Sequence, residues 1–536
     1  MKKIIVTLLI VLSGFSISCK DNTASNSIVI NMSAEPKTMD PTLNSLSAVS
    51  VYIIHAFEGL TKLDSNNNVV GAVAEGWFIS EDGLKYTFHL RTNAKWSDGK
   101  PVTANDFEYS WKRAVDPNVA AEYSYMMEVI KNAKEINAGI MDYNNLGVKA
   151  IDDYTFEVTL ENPTAYFLEF IASTGIFMPV RKDIIETYGD EWTLNPETYI
   201  GNGPYRMTER LIDQKIVFSV NTNYYSKEDQ IANEITFVLM SDPNTAVAGL
   251  KNGTVHFSAL EPPAAEIENL KSERYIAANN ALGTYYLELN ITNEALKDKR
   301  VRQALSLAID RNYIVSNVTK GGQIPAGAFV PPQVRGLNGT FRSESGDYID
   351  INNYEENIEI AKSLLADAGY PNGENYPILE LKVSPGIYVL VGEAIQQMWK
   401  DNLNITVQLI QEEFPITLQS LIEKDYQLTR MGWTGDYNDP MTMLDVMLSY
   451  GGVNHSGFSN ANYDRLILIA KESPDNKVRM DAMRQAESIL MDEMPIIPLY
   501  YRADALMISP KLKGVILNPL GRHKFNYCYI DRKSVV

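Results

Sequence analysis

Few residues in this chain of 536 amino acids have the type and spacing that catalysis or metal binding requires. The five histidines lie far apart in the sequence, at His55, His89, His256, His455 and His523. None of them belongs to an HExxH or CxxC motif, the close spacing that a zinc site needs. No GxSxG segment or Cys/His pair indicates a hydrolase. The sequence therefore predicts a protein that is not an enzyme and that holds neither a metal nor a cofactor.

The composition narrows the class of partner. The formal net charge is −19, with 48 Lys and Arg residues against 67 Asp and Glu residues. Nucleic-acid binding needs a concentrated basic face, so a nucleic-acid partner is excluded. A hydrophobic content of 45% is typical of a globular protein. At roughly 150 residues per domain, the length predicts two to four domains.

The first 19 residues predict export and attachment to a membrane. Lys2 and Lys3 precede an apolar stretch at 4–12, which is too short to span a bilayer. The stretch ends in small residues and Cys19, an order that resembles a lipobox, although Ser16 stands where leucine is usual. We expect a signal peptide at 1–18, a lipidated Cys19 and a polar tether through 27. The alternative is an ordinary signal peptide cleaved nearby, with Cys19 incidental.

Helix and strand patterns alternate along the remaining chain. Period-two alternation predicts strands at 28–32, 86–91, 154–160, 215–221, 234–240, 379–383 and 405–410. Helical periodicity predicts helices at 48–60, 103–115, 301–309, 358–368, 389–403, 463–470 and 477–494. This mixture indicates α/β or α+β layers. Since no Gly/Ser-rich linker divides the chain, we expect it to cross between lobes several times.

Four motifs, in order along the chain, carry a resemblance to a known family. They are KWSDGKPVTANDF with YSW at 95–111, GNGPY at 201–205, VRQALSLAIDR at 301–311 and GWTGDYNDP at 432–440. Together they resemble the oligopeptide-binding (OppA-like) members of extracellular solute-binding protein family 5, the receptors of peptide ABC importers. The resemblance extends over about 28–510, which is nearly the whole mature chain.

The resemblance implies a two-lobed periplasmic-binding-protein fold of mixed α/β (α+β) type, classed as type II and cluster C-like. Such proteins carry an extra domain and a hinge between the lobes. Domain I is then expected at 28–57, 182–283 and 504–536, in three separate segments. Domain II is expected as the insert at 58–181, and domain III at 284–503.

The loop at 432–440 holds the leading candidate for ligand contact. A receptor for many peptides must bind what they share, namely the backbone and the charged amino end. An ammonium group buried between lobes needs an anion, and the resemblance assigns that role to Asp436. Asp436 could also serve the turn of its own loop. Gly432 and Thr434 are expected to offer backbone groups, and Trp433 either lines a side-chain pocket or belongs to the core.

Further contacts follow from the resemblance. One of Tyr123 and Tyr125 is expected to hydrogen-bond the peptide, with Tyr123 favoured. The loop of Ser45, Leu46 and Ser47 is expected to supply backbone contacts near the amino end of the peptide.

Phe414 falls where oligopeptide-binding members of the family place a pocket-lining tryptophan, and Tyr388 falls where one member has a histidine, so both are expected to contact the ligand. Arg430 matches an arginine that can meet a peptide carboxylate, or it forms a plain ion pair. A second such arginine would fall near Leu421, where this chain has none, so the preferred peptide length is expected to differ.

The sequence thus predicts a lipid-anchored, monomeric receptor in the cell envelope, on the periplasmic or the extracellular face. It would capture short peptides and deliver them to the permease subunits of an ABC transporter. Two alternatives remain open: a surface adhesin or peptide sensor with the same fold, and a receptor for a non-peptide solute.

Overall fold

The computed structural model of the chain describes residues 26–32, 34–65 and 68–531. The expected signal peptide and Cys19 lie outside these residues. Among the helices that are described, none combines the length and apolar character needed to cross a membrane. The same residues contain no cluster of three or more His, Cys, Asp and Glu side chains arranged to hold a metal ion.

Strands and helices alternate along the described chain. The strands are β1 (Ser27–Asn31), β2 (Thr61–Leu63), β3 (Val69–Gly71), β4 (Ala74–Ile79), β5 (Lys85–Leu90), β6 (Val148–Asp152), β7 (Thr155–Thr159), β8 (Tyr205–Leu211), β9 (Lys215–Val220), β10 (Glu234–Val238), β11 (Phe257–Ser258), β12 (Ile276–Leu289), β13 (Ile324–Pro325), β14 (Leu379–Val383), β15 (Val407–Gln411), β16 (Leu428–Thr434), β17 (Ile496–Ile508), β18 (Leu512–Lys513) and β19 (Tyr529–Ile530). The α-helices are α1 (Ser47–Ala56), α2 (Ala104–Val115), α3 (Ala133–Asn137), α4 (Phe167–Ser173), α5 (Lys182–Tyr188), α6 (Pro243–Asn252), α7 (Ile267–Ser272), α8 (Lys299–Leu307), α9 (Arg311–Tyr313), α10 (Phe341–Ser345), α11 (Tyr354–Asp367), α12 (Ile387–Leu403), α13 (Phe414–Glu423), α14 (Met441–Leu444), α15 (Ala461–Glu472) and α16 (Asn476–Glu493). Short 3-10 turns and one π-helical segment connect several of them.

A mixed sheet of eleven described strands runs through both halves of the molecule. Its order is β15-β14-β16-β12-β17-β11-β1-β10-β9-β8, with β13 also paired to β17. The long strands β12 and β17 lie at its centre and pair with each other along most of their length. The strands on one side of this pair come from the region expected as domain III, and those on the other side from the region expected as domain I.

The central pair is interrupted where the two halves meet. Asn280 pairs with Ala503, and regular pairing resumes only at Thr284 and Tyr501, with a shift of register between them. The expected domain boundary at 283/284 falls within this interruption, and the one at 503/504 lies directly beside it. Two crossing strands with a local loss of pairing provide a place where a small change in backbone angles can move one half against the other.

The region 58–181 forms its own antiparallel sheet, in the order β4-β5-β7-β6, with α2 packed against it. Helix α2 begins with a capping box between Thr103 and Asp106. The Asp106 carboxylate also accepts a bond of 3.4 Å from Nε1 of the buried Trp96. Nε1 of the buried Trp111 donates to the carbonyl of Phe177 at 2.9 Å. The side chains of Trp96, Asp106 and Trp111 in the motif at 95–111 therefore stabilise this region.

Candidate ligand-binding cleft

Strand β16 has an open edge over most of its length. It pairs with β12 from Leu428 to Thr434. On its other side it pairs with β14 only at Leu428 and Thr429. From Arg430 onwards, that edge faces the cleft without a strand partner among the described residues. A free edge of this kind can accept an extended chain as an additional strand.

The register of the ladder shows which backbone groups point to the open edge. The N–H of Gly435 donates to the carbonyl of Leu282 at 2.8 Å, so the backbone groups of residue 435 point to β12. At the other end of the ladder, an odd-numbered residue also bonds to β12. In an antiparallel pair, alternate residues bond to the same neighbour. Trp433 therefore bonds to β12, whereas Gly432 and Thr434 direct their N–H and C=O groups to the open edge. Contact of these backbone groups with a peptide stays a prediction.

Asp436 lies just beyond the end of this edge. Its backbone N–H donates to Oγ1 of Thr442 at 2.9 Å, and its carbonyl accepts from Nη1 of Arg522 at 3.4 Å. No group among the described residues donates a hydrogen bond to its carboxylate. Burial raises the pKa of Asp436 to about 6; the Arg522 charge opposes this rise and the Asp445 charge adds to it. The site thus holds a half-buried carboxylate whose charge lacks a direct partner.

The neighbouring residues of the loop have structural roles that Asp436 does not share. The Asp439 carboxylate forms a buried ion pair of 3.0 Å with Arg479 and also accepts from the N–H of Met441. The buried ring of Tyr437 stacks on Tyr166 of the insert. A structural role in the turn, the alternative for Asp436, is therefore taken by the carboxylate of Asp439. The carboxylate of Asp436 remains available to a ligand.

A cavity of about 640 Å³ adjoins Asp436 and receives side chains from both sides of the cleft. Trp433 lines it, half-buried, with Nε1 donating to the carbonyl of Thr442 at 2.7 Å. Tyr125 lines the opposite side and is 51% exposed. The cavity is large enough to hold an amino-acid side chain, and Trp433 is part of its wall.

Residues 68–455 match the family described as bacterial extracellular solute-binding proteins, family 5 middle. The chain belongs to this family. It is 32% identical over 516 residues to the oligopeptide-binding protein OppA of Bacillus subtilis (strain 168), covering 95% of this chain and 94% of that protein. The predicted family resemblance is thereby confirmed.

Solved structures confirm the two-lobed mixed α/β fold. The unliganded open form of the periplasmic murein tripeptide binding protein MppA matches with a TM-score of 0.83 at 32% identity, over 95% of this chain and 98% of that one. Haemophilus influenzae OppA in complex with RPPGFSPFR matches with a TM-score of 0.75 at 30% identity, over 95% of this chain and 99% of that one.

In this solute-binding protein, both candidate tyrosines of the insert lie near Asp436. The rings of Tyr123 and Tyr125 are 5.8 Å apart in an edge-to-face arrangement. Burial raises the pKa of each hydroxyl, and the Asp436 charge adds to both shifts. Tyr125 lines the cavity directly and Tyr123 packs beside it, so the choice between them stays a prediction.

Tyr388, Phe414 and Arg430 form one cluster. The Arg430 guanidinium lies between the two rings, 4.4 Å from the centroid of Tyr388 and 4.3 Å from that of Phe414. It donates to Oγ of Ser384 at 2.7 and 3.0 Å. The plain alternative, an ion pair, was wrong for the described residues, because none of their carboxylates reaches Arg430 within 4.0 Å. Stacking against two rings fixes the guanidinium without neutralising its charge.

The loop of Ser45, Leu46 and Ser47 borders the cleft from the region expected as domain I. Oγ of Ser45 donates to the Glu122 carboxylate at 2.7 Å, next to Tyr123. The Leu46 side chain is 54% exposed. Ser47 begins α1 and lines a second cavity of about 810 Å³, on the side where α12 begins. Contact of these residues with a ligand stays a prediction.

Two further arginines contact the open edge of β16 and the Asp436 loop, and the sequence did not predict them. Arg522 contacts the Asp436 carbonyl, and its own Nε is buried without a hydrogen-bond partner among the described residues. Arg502, on β17, donates from Nη1 to Oγ1 of Thr434 at 2.6 Å. Neither lies in a recognisable motif, so only the three-dimensional contacts could identify them.

Proposed function

We propose that this protein is the lipid-anchored receptor of a peptide ABC importer. It captures extended oligopeptides between its two lobes, pairs the peptide amino end with Asp436, and delivers the peptide to permease subunits in the membrane. The observation that carries this proposal is the unpaired carboxylate of Asp436 at the end of the open edge of β16.

The cleft matches what all peptides have in common. The open edge offers the N–H and C=O groups of Gly432 and Thr434 to an extended backbone, independent of peptide sequence. Asp436 supplies the charge that an ammonium group needs once water is excluded. The adjoining cavity leaves room for varied side chains. The names of the relatives, which bind oligopeptides and a murein tripeptide, agree with this ligand class.

Capture requires the lobes to close on the peptide. The interrupted pairing of β12 and β17 supports a hinge there, since few backbone bonds must change when the halves move. A ligand that contacts both sides of the cleft favours the closed form by its difference in affinity for the two forms. The closed, monomeric receptor then docks on the permease, and a lipid on Cys19 keeps it in the cell envelope beside that partner. Mass spectrometry of the mature amino end tests the lipid.

The role of Asp436 is tested by calorimetric titration with alanine pentapeptides. One peptide has a free amino end and the other is acetylated. We expect Asp436→Ala to weaken binding of the free peptide by about 3–5 kcal/mol, the scale for leaving one buried ion without its partner. Asp436→Asn is the variant of equal size. The exposed Asp190 lies outside the cleft, so Asp190→Asn is the matched control and should bind like the wild type.

Equal affinity for free and acetylated peptides, or an unchanged affinity of Asp436→Asn, would contradict the assignment of Asp436. Mass spectrometry of ligands that co-purify with the protein tests the ligand class independently. Peptides with free amino ends support the proposal, whereas a consistent non-peptide ligand would refute it.

A further inference from the structure

Arg502 reaches into the cleft across a neighbouring strand. It lies on β17, and its Nη1 donates to Oγ1 of Thr434 on β16 at 2.6 Å. Strand β12 lies between β16 and β17 in the sheet. Thr434 pairs with Gly283 of β12, and the adjacent Thr284 pairs with Tyr501. The Arg502 side chain therefore crosses the sheet over Gly283 and ends above the residue that borders the open edge.

Residue 283, over which the Arg502 side chain crosses, is a glycine packed closely against β16. A Cβ atom placed on Gly283 would lie 2.6 Å from the carbonyl oxygen of Trp433 and 3.2 Å from Oγ1 of Thr434. Contacts below 3.0 Å force atoms to move. The close approach of β16 therefore requires glycine at 283, and no side chain at this position stands between Arg502 and Thr434.

The guanidinium of Arg502 keeps an uncompensated positive charge. Its side chain is exposed, and no described carboxylate oxygen lies within 4.0 Å of its nitrogens. Arg430 projects from the same face of the sheet, because residues 430 and 434 of a strand share a face. The cavity on the opposite face is lined by Asp445, Glu128 and Lys471 among others, and its carboxylates outnumber its cations. Arg430 and Arg502 therefore place two cations on one face of the open edge, where Asp504 and Glu261 also line the cavity of about 810 Å³ beside β17, whereas the cavity on the opposite face is acidic.

We infer that Arg502 binds a carboxylate of the bound peptide at its second or third residue. This rests on the proposed function, in which the ammonium group lies at Asp436. Thr434 is two residues before Asp436, and a strand rises about 3.3 Å per residue, so Arg502 lies about 7 Å further along the peptide. The carboxylate belongs either to an Asp or Glu side chain or to the carboxyl end of a dipeptide or tripeptide.

Strand geometry makes the preference alternate along the peptide. Successive side chains of an extended chain point to opposite faces. A glutamate on the face of Arg502 gains a charge-assisted hydrogen bond, whereas a glutamate one position away points towards the acidic cavity. The protein should therefore select an acidic residue at one of the two positions and reject it at the other.

The experiment compares Glu with Gln in alanine pentapeptides that have a free amino end and an amidated carboxyl end. The single Glu or Gln stands at position 2, 3 or 4, and affinity is measured by calorimetry. We expect the Glu peptide to bind about tenfold more tightly than the Gln peptide when the residue stands at either position 2 or position 3. At the positions next to the preferred one, the Glu peptide should bind no more tightly than the Gln peptide. A second arm compares dipeptides and tripeptides of alanine as free acids and as amides, which tests the terminal carboxylate as the source.

Arg502→Met should abolish whichever preference is found, and Arg502→Gln, which can still donate to Thr434, should abolish it as well. The exposed Arg465 on α15 lies outside the cleft, so Arg465→Met is the matched control and should retain the preference. The inference would be overturned if the wild type preferred neither Glu over Gln nor the free acid over the amide. It would also be overturned if both preferences were unchanged in the two Arg502 variants. In either case the protein would still bind peptides, so the proposed function would stand. Failure of every peptide to bind would overturn the proposed function together with it.

Discussion

The ring of Tyr437 stacks on the ring of Tyr166, with centroids 4.8 Å apart and planes inclined by 4°. Tyr437 directly follows Asp436, so one short loop points a carboxylate into the cleft and an aromatic ring into a buried contact with the insert. Phe170 packs against the same ring at 5.1 Å. The position of the Asp436 carboxylate is therefore coupled to the packing between the insert and the β16 loop.

Replacing Tyr437 should affect both stability and binding. We expect Tyr437→Ala to lower the free energy of unfolding by about 3–5 kcal/mol, because a large buried ring leaves a cavity. Affinity for peptides should also fall, since the Asp436 loop loses its anchor. Tyr437→Phe keeps the stacked rings and should cost about 1 kcal/mol for the lost side-chain hydrogen bond between Tyr437 and Tyr166. Urea denaturation and calorimetry measure the two effects, and equal losses for both variants would contradict the role of stacking.

The unpaired charge of Asp436 should destabilise the ligand-free protein at neutral pH. Its pKa is raised to about 6 in the folded state, so between about pH 4 and pH 6 the folded state binds more protons than the unfolded state. Stability therefore falls as pH rises through this range and stays lower above it. We expect Asp436→Asn to be more stable than the wild type at pH 7.5, by roughly 1–3 kcal/mol, and to lose this advantage below pH 4. Thermal unfolding of ligand-stripped protein measures this difference in stability. A wild type that is more stable than Asp436→Asn at pH 7.5 would contradict the prediction.

Local patterns predicted much of the fold. The strand expected at 379–383 has the bounds of β14, and the helix expected at 103–115 corresponds to α2, which Thr103 caps. The helix expected at 48–60 was too long, because α1 ends at Ala56. Phe57 leaves the helical conformation and packs edge-on against Trp192 and Tyr199. Tertiary packing there outweighs an apolar pattern that alone would continue the helix.

The cleft was predictable only where its residues are neighbours in sequence. Asp436 lies in a recognisable motif, and no described group donates a hydrogen bond to its carboxylate. Arg522 is 86 residues from Asp436, and Arg502 is 68 residues from Thr434. The contacts of these arginines arise because the chain returns through β17 and its C-terminal segment to the cleft. Nothing in local composition or periodicity carries such information.

Arg430 should contribute more to ligand choice than to stability. Arg430→Met keeps a long side chain that can pack between Tyr388 and Phe414 but removes the charge and both bonds to Ser384. We expect a stability loss of about 1 kcal/mol, the scale of one cation–π contact at a partly exposed site. If Arg430 meets the peptide carboxylate, free-acid tetrapeptides and pentapeptides should lose affinity while their amides do not. Parallel titration of acids and amides measures this, and equal losses for both would limit Arg430 to shaping the pocket.

Peptide affinity should depend on pH through Asp436. The α-amino group of a peptide, with an ordinary pKa of about 8, stays charged below neutral pH, so the carboxylate is the group that changes. The pKa of Asp436 is about 6 without ligand, and pairing with an ammonium lowers it in the complex. Binding must then displace a proton from Asp436 at acidic pH.

We expect the wild-type dissociation constant to be flat from pH 6.5 to 7.5 and to rise towards tenfold per pH unit below about pH 5.5. Asp436→Asn should bind more weakly and lack this dependence, because it has no proton to displace. Calorimetry in buffers of different ionisation enthalpy measures the proton release directly, and a wild type whose pH profile parallels that of Asp436→Asn would contradict the pairing.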